Sequence, residues 1–225
     1  MILLAERLRE QVARAGVKMA QAGLVVGTWG NVSSRVSRED LVVITPSGMP
    51  YDSLQPPDIV VVDLKGNVVD GERRPSMELG LHLAIYHARP DVRAVMHTHS
   101  VFASAMAVAR LPIPAVVEDV AQIVGGAVPV ADYAPAGSRE LAEKAVAALG
   151  QRNAVLLANH GLVGVGADLE EAFSVCQIVE KAAQVYLWAS LAGTPVALDE
   201  TQIATLRREY ITSYGQKQAE GGRPR

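Results

Sequence analysis

Apolar residues recur along this chain with two periods, and the periods name the elements. Leu4, Leu8, Val12, Ala15 and Met19 follow helical spacing, which predicts a helix over residues 3 to 22. Gly23 is placed to close it as a C′ residue. The runs at 41–44 and 58–64 are β-branched and strand-like, and Lys65-Gly66-Asn67 reads as the turn that returns into Val68-Val69. Ser76 is positioned to cap a helix reaching about residue 88, where Arg89-Pro90-Asp91 ends it. A strand over 92–99 and a helix over 100–109 come next. Short strands near 114–117 and 127–131 and a helix over 138–149 follow. Residues 154–158 and 162–166 form two further strands, 169–191 the longest helix and 199–210 the last. Strands and helices interleave, yet several strands neighbour each other as hairpins. The pattern predicts one α/β domain over residues 1–215, with a mostly antiparallel or mixed central sheet and helices on both faces. A polar tail occupies 216–225.

Composition narrows the partners. The chain has 225 residues, enough for one large domain with a sizeable core. Hydrophobic residues make up 49% and charged residues 20%, as in ordinary globular proteins. The net charge is −3 and no basic stripe is visible, which argues against nucleic acid. No apolar run reaches membrane-spanning length, and Glu6 and Arg7 come too early for a secretory signal, so a cytoplasmic protein is expected. The single cysteine, Cys176, excludes an internal disulfide framework and reads as a small core residue.

Candidate chemistry starts at His97-Thr98-His99, which ends an apolar strand. An extended chain sends alternate side chains to one face, so both imidazoles leave the strand on the same side. Asn159-His160-Gly161 ends another apolar strand, and Gly161 permits close backbone approach beside a histidine. Glu78, on the predicted helix, is the candidate carboxylate. Three imidazoles and a carboxylate suit Zn²⁺ or a similar divalent ion, and the lack of a cysteine ligand favours a catalytic over a structural site. Glu78 and His82 are four apart and are also placed to form a metal pair. We read His82 as a helix-surface or packing residue instead, and His87 as structural near a helix C-terminus.

Three segments are rich in glycine, hydroxyl and amide groups: Gly27-Thr28-Trp29-Gly30-Asn31, Thr45-Pro46-Ser47-Gly48 and Pro75-Ser76. Glycine lets backbone N–H groups converge on an anion, and Thr, Ser and Asn side chains add donors. Each segment alone reads as an ordinary turn. Together, beside a metal site, they point to a phosphorylated substrate.

These motifs, in this order, resemble the class II aldolase/adducin-head family. The likeness runs from about residue 5 to Tyr214. Its carriers are Gly27 to Ser33, Thr45 to Tyr51, Ser76 to Glu78, the two histidine motifs, and Tyr214-Gly215. The nearest branch is the fuculose-phosphate aldolases, with the ribulose-phosphate 4-epimerases close by. The resemblance implies one Zn²⁺ per subunit held by Glu78, His97, His99 and His160. It implies a substrate phosphate among Thr28, Gly30, Asn31, Thr45, Ser47, Gly48 and Ser76. It also implies a homotetramer with sites between subunits, where Tyr214 serves a neighbour.

Two positions depart from that branch. Met77 stands where it carries a second serine, and Glu118 where it carries a tyrosine. The epimerases have an acidic residue in this region, and the methylthioribulose-phosphate dehydratases use a glutamate there. The implied reaction is retro-aldol cleavage of a ketose 1-phosphate to dihydroxyacetone phosphate and an aldehyde, through an enediolate the metal stabilises. Glu78 is the expected base, and Glu118 or Tyr214 the group that moves the proton of the aldehyde oxygen. The alternatives are an epimerase or dehydratase using Glu118, and a non-catalytic adducin-like scaffold.

Overall fold

Strands with both faces apolar set the architecture. In the computed structural model, which describes residues 5–36 and 39–213, eight strands form one sheet. They are β1 (Asn31–Arg35), β2 (Leu41–Ile44), β3 (Val60–Asp63), β4 (Val68–Asp70), β5 (Ala94–Thr98), β6 (Val130–Ala131), β7 (Ala154–Leu157) and β8 (Gly161–Gly166). The spatial order is β4-β3-β2-β1-β5-β8-β7-β6, and every pairing is antiparallel except β6 with β7. The mixed sheet is the one expected.

Seven helices cover it: α1 (Glu6–Gln21), α2 (Leu79–Ala88), α3 (Val101–Ala109), α4 (Glu118–Ile123), α5 (Arg139–Leu149), α6 (Leu169–Ala192) and α7 (Glu200–Ser213). Val43, Val61, Met96, Leu156 and Leu162 join α1, α3, α4 and α6 in one core. Their strand neighbours Val42, Val60, Val62, Val95, Leu157 and Val163 join α2 and α5 in the other. Period-two alternation therefore sorts β2, β3, β5, β7 and β8 between two apolar layers, and β2, β3 and β7 read as continuous apolar runs because both their faces are covered. Cys176 is buried in the first core, where burial pushes its thiol up to about 12, as a core residue should behave.

Helix ends follow local chemistry. Gly23 has φ +70°, and the bonds Gly23 N–H to Ala20 O and Leu24 N–H to Met19 O close α1 as a Schellman motif. Ser138 caps α5 by accepting from Leu141 N–H, and Asp168 caps α6 by accepting from Glu171 N–H. None of the helices among the described residues is long and apolar enough to cross a membrane.

Two expectations need correction. No strand forms over 114–117: Pro112 and Pro114 remove ladder donors, and only Ile113 bridges to Val128 before α4 begins. The strand near 127–131 shrinks to two residues after Pro129. β1, by contrast, was not foreseen, because its residues Asn31, Ser33 and Ser34 are polar. Tyr214 and the tail at 216–225 lie outside the described residues.

Candidate metal centre

β1, β5 and β8 lie side by side at the middle of the sheet, and their ends build the site. Antiparallel register sets Asn31 opposite His97 on one face. His97 is on β5 and fully buried, and His99 follows just past the strand end. His160 sits in the β7–β8 turn, where Asn159 takes φ +55° to reverse the chain. Gly161 is required next: a Cβ there would overlap the Thr98 carbonyl oxygen and press on the His99 ring. Gly30 is required too, at φ +98°, since its Cβ would lie 2.7 Å from His97 O.

Glu78 arrives from the other layer. The sequence put the start of this helix at Ser76, but α2 begins at Leu79 with Glu78 in the N-cap position. Ser76 instead makes the preceding turn, its Oγ accepting from Glu78 N–H at 3.2 Å. The Glu78 side chain makes no capping bond and turns to the imidazoles.

The four side chains meet. Their ligand atoms all lie within 4.8 Å of one another. His97 Nε2 is 2.9 Å from His99 Nε2, 3.2 Å from His160 Nε2 and 3.2 Å from Glu78 Oε2. The rings stand nearly edge to face, with interplanar angles of 67° to 81°. His97 Nδ1–H donates to Leu162 O at 3.0 Å, which fixes the tautomer and leaves Nε2 bare. Glu78 Oε1 is buried 3.5 Å from His160 Nε2 and accepts no hydrogen bond among the described residues. Lone pairs converging this closely, beside an orphaned carboxylate oxygen, fit a divalent cation between them.

The electrostatics agree. Burial, together with the neighbouring His97 and His160, holds His99 at about 4, and burial with His97 does the same for His160. Both rings are neutral near pH 7 and free to ligate. Burial pushes the Glu78 carboxyl up, but His97, His160 and the Asn31 amide outweigh it and hold the group well below the usual carboxylate range.

A cavity of about 220 Å³ opens beside the ligands. Thr28, Gly30, Asn31, Ser47, Gly48 and Ser76 line it with Glu78, His99 and His160. Thr45 sits behind this wall, buried, with Oγ1 accepting from Val32 N–H and its carbonyl from Ser76 N–H. Trp29, Pro46, Met77, Ala136 and Gly137 complete the lining. The last two lie in a stretch, Pro135-Ala136-Gly137, that reads as a plain turn in the sequence. Glu118 is not brought to the cavity: it opens α4 and is exposed. His87 donates from Nε2 to Leu64 O.

Comparison with known proteins decides the family. Residues 10–187 match the model of the Class II Aldolase and Adducin N-terminal domain. The chain belongs to the class II aldolase and adducin family. The 5-deoxy-D-ribulose 1-phosphate aldolase of Bacillus thuringiensis serovar kurstaki is 38% identical over 215 residues, covering 96% of this chain and 100% of that protein. The L-fuculose phosphate aldolase of Escherichia coli K12 is 38% identical over 210 residues, 93% of this chain and 96% of that one. Among solved structures, an L-fuculose 1-phosphate aldolase superposes with a TM-score of 0.90 at 37% identity, covering 93% of this chain and 98% of that one. These class II aldolases are lyases, and the family assigns this chain to the same enzyme class.

Proposed function

We propose that this protein is a zinc-dependent aldolase that cleaves a ketose 1-phosphate to dihydroxyacetone phosphate and an aldehyde. The observation that carries the reading is Glu78 Oε1, buried and without a hydrogen bond, facing three convergent imidazoles. Similarity to a 5-deoxyribulose-phosphate and a fuculose-phosphate aldolase supports the substrate class. Cleaving a ketose 1-phosphate between C3 and C4 leaves the same three-carbon ketone phosphate whatever the aldehyde.

His97, His99, His160 and Glu78 would hold the ion. When bound, it acts as a Lewis acid that stabilises negative charge developing on the ketone fragment's oxygens. Thr28, Gly30, Asn31, Ser47, Gly48 and Ser76 would bind the phosphate, with Thr45 setting the backbone behind them. Anchoring the phosphate fixes the position of C3 relative to Glu78. Glu78 moves the C3 proton of dihydroxyacetone phosphate in the condensation direction. Tyr214, supplied by a neighbouring subunit of a homotetramer, moves the proton on the aldehyde oxygen, since Glu118 lies outside this cavity. We place the enzyme in the cytoplasm. An epimerase, a dehydratase or a scaffold draws no support from the cavity, which Glu118 does not line.

The test needs no knowledge of the aldehyde. Zinc-loaded protein is incubated with dihydroxyacetone phosphate in D₂O, and the C3 proton is followed by NMR. Exchange that stops on adding chelator is the expected result. No exchange by folded, metal-replete protein would overturn the reading.

A further inference from the structure

Behind Glu78 a second line of polar groups runs through the core. Residues 78, 82 and 86 are four apart and share one face of the first turns of α2. Residues 31 and 33 alternate along β1 and face the same way. The two lines interlock. Asn31 Nδ2 donates to Glu78 Oε2 at 2.9 Å, and Asn31 Oδ1 pairs with His82 Nε2 at 2.5 Å. His82 Nδ1 pairs with Ser33 Oγ at 2.6 Å, and Ser33 Oγ with Tyr86 OH at 2.8 Å. His82, Ser33 and Tyr86 are all buried.

Chemistry fixes the direction of every bond. A carboxylate only accepts, so the Asn31 amide must turn its N–H to Glu78 and its oxygen away. That oxygen needs a donor, which makes Nε2 the protonated nitrogen of His82. Burial holds His82 at about 3, against the pull of Glu78, so the ring is neutral and Nδ1 is bare. Ser33 then donates to Nδ1, and Tyr86 donates to Ser33. The chain reads Tyr86, Ser33, His82, Asn31, Glu78, each group satisfied by the one before.

We propose that His82 is a positioning residue for Glu78: it locks the Asn31 amide so that its N–H grips Oε2, and so leaves Oε1 facing the metal position. The proposal rests on the reading of Glu78 as a metal ligand. Without the Nε2–H of His82, the Asn31 oxygen loses its buried donor and the amide is held at the Glu78 end alone. The carboxylate's anchor is then free to swing, and its tilt is no longer fixed.

Cobalt(II)-loaded protein, without substrate, tests this by visible absorption and by metal affinity against a competing chelator. His82→Leu is expected to shift the ligand-field bands and to weaken metal binding about 10- to 100-fold. His82→Gln, whose side-chain N–H can replace Nε2–H, should restore most of both. Asn31→Asp, which sets a carboxylate against Glu78 while leaving His82 its acceptor, should reproduce the loss, and serves where His82→Leu fails to fold. A merely structural His82 would change melting temperature but not spectrum. Unchanged bands and affinity in His82→Leu or Asn31→Asp, or equal loss in His82→Gln and His82→Leu, would overturn the proposal. These readouts involve no sugar phosphate. Absent C3 exchange alongside the expected spectra would remove the aldolase assignment and leave the positioning role standing.

Discussion

Helices α2 and α5 pack against each other on the same face of the sheet; both supply apolar side chains, Leu81, Leu83 and Ile85 from α2, yet one buried line on each differs in kind. α5 lays down Leu141, Ala145 and Leu149 at four-residue spacing, all buried and apolar. Glu78, His82 and Tyr86, at the same spacing, bring a carboxylate, an imidazole and a phenol into the buried layer from α2 and its N-cap. The α5 line shows what the face requires for stability: burying a leucine contributes about 1.5–3 kcal/mol with no hydrogen bond to satisfy. The α2 line does not follow from that requirement. Each of its polar groups must recover, bond by bond, the hydration it has lost. A chain of partners assembled at that cost, ending on a metal-facing carboxylate, marks which of two equivalent surfaces serves chemistry.

The comparison predicts that one line fails in function and the other in stability. Glu78→Ala removes both a metal ligand and the proposed base. Turnover of a ketose 1-phosphate per folded molecule should fall at least about 10³-fold, within the range for lost acid–base catalysis. A variant within tenfold of wild-type turnover would remove Glu78 from the chemistry. At the α5 end, Leu149→Ala should cost about 2–5 kcal/mol in urea unfolding. Turnover per folded molecule should stay unchanged. Should Leu149→Ala instead slow turnover strongly at full occupancy of the fold, the division between the two helices would not hold.

Acid sharpens the contrast, because the buried α5 line of Leu141, Ala145 and Leu149 has no group to titrate. His82 titrates at about 3 in the fold, and His99 and His160 at about 4, all below the ordinary 6.5. The unfolded chain therefore binds more protons as pH falls below 6.5, and the fold loses stability through that window. Glu78, depressed from 4.5, acts in the same direction lower down. By pH 5, His82 alone should cost the metal-free protein about 2 kcal/mol, at about 1.4 kcal/mol per pH unit. Urea midpoints at pH 7.5 and 5.0 measure it. Leu149→Ala should shift both midpoints together, whereas His82→Gln should bring them closer. Equal midpoints at the two pH values would contradict neutral, buried imidazoles.

How far each line could be read in the sequence follows from its geometry. The histidine pair is legible because its two ligands are neighbours in the chain and extended backbone alone aligns them. His160 is legible because a glycine follows it at a strand end. Continuous apolar runs at 41–44 and 154–158 announce a sheet covered on both faces, and the mixed sheet resulted. The polar line was not legible. It pairs a period of two on β1 with a period of four on α2, and the two meet only after β1 has docked beside β5. β1 itself was hidden, since a strand with Asn31, Ser33 and Ser34 has little apolar alternation to show. For the same reason His82 reads as a packing residue until Asn31 and Ser33 stand on either side of its ring. Glu78 was a candidate carboxylate in the sequence, which the family resemblance placed among the ligands, but its release from the helix by the Ser76 turn is a structural finding.

The smallest effect comes from the far end of the line, and it tests how influence fades along it. Tyr86→Phe keeps the ring, which Arg35 covers with its guanidinium carbon 4.8 Å from the centroid, and removes only the hydroxyl. Ser33 Oγ loses a donor but keeps His82 Nδ1 as its acceptor, so the tautomer of His82 and the amide of Asn31 stay set. The expected cost is about 1 kcal/mol in urea unfolding, the ordinary worth of one hydrogen bond. Cobalt(II) bands and turnover should remain those of the wild type. Ser33→Ala removes the donor that keeps Nδ1 bare and should move the bands partway towards those of His82→Leu. Loss should therefore grade from Tyr86 through Ser33 to His82. An equal spectral change from all three would mean that the face is one cooperative polar core, in which no residue positions Glu78 more than another.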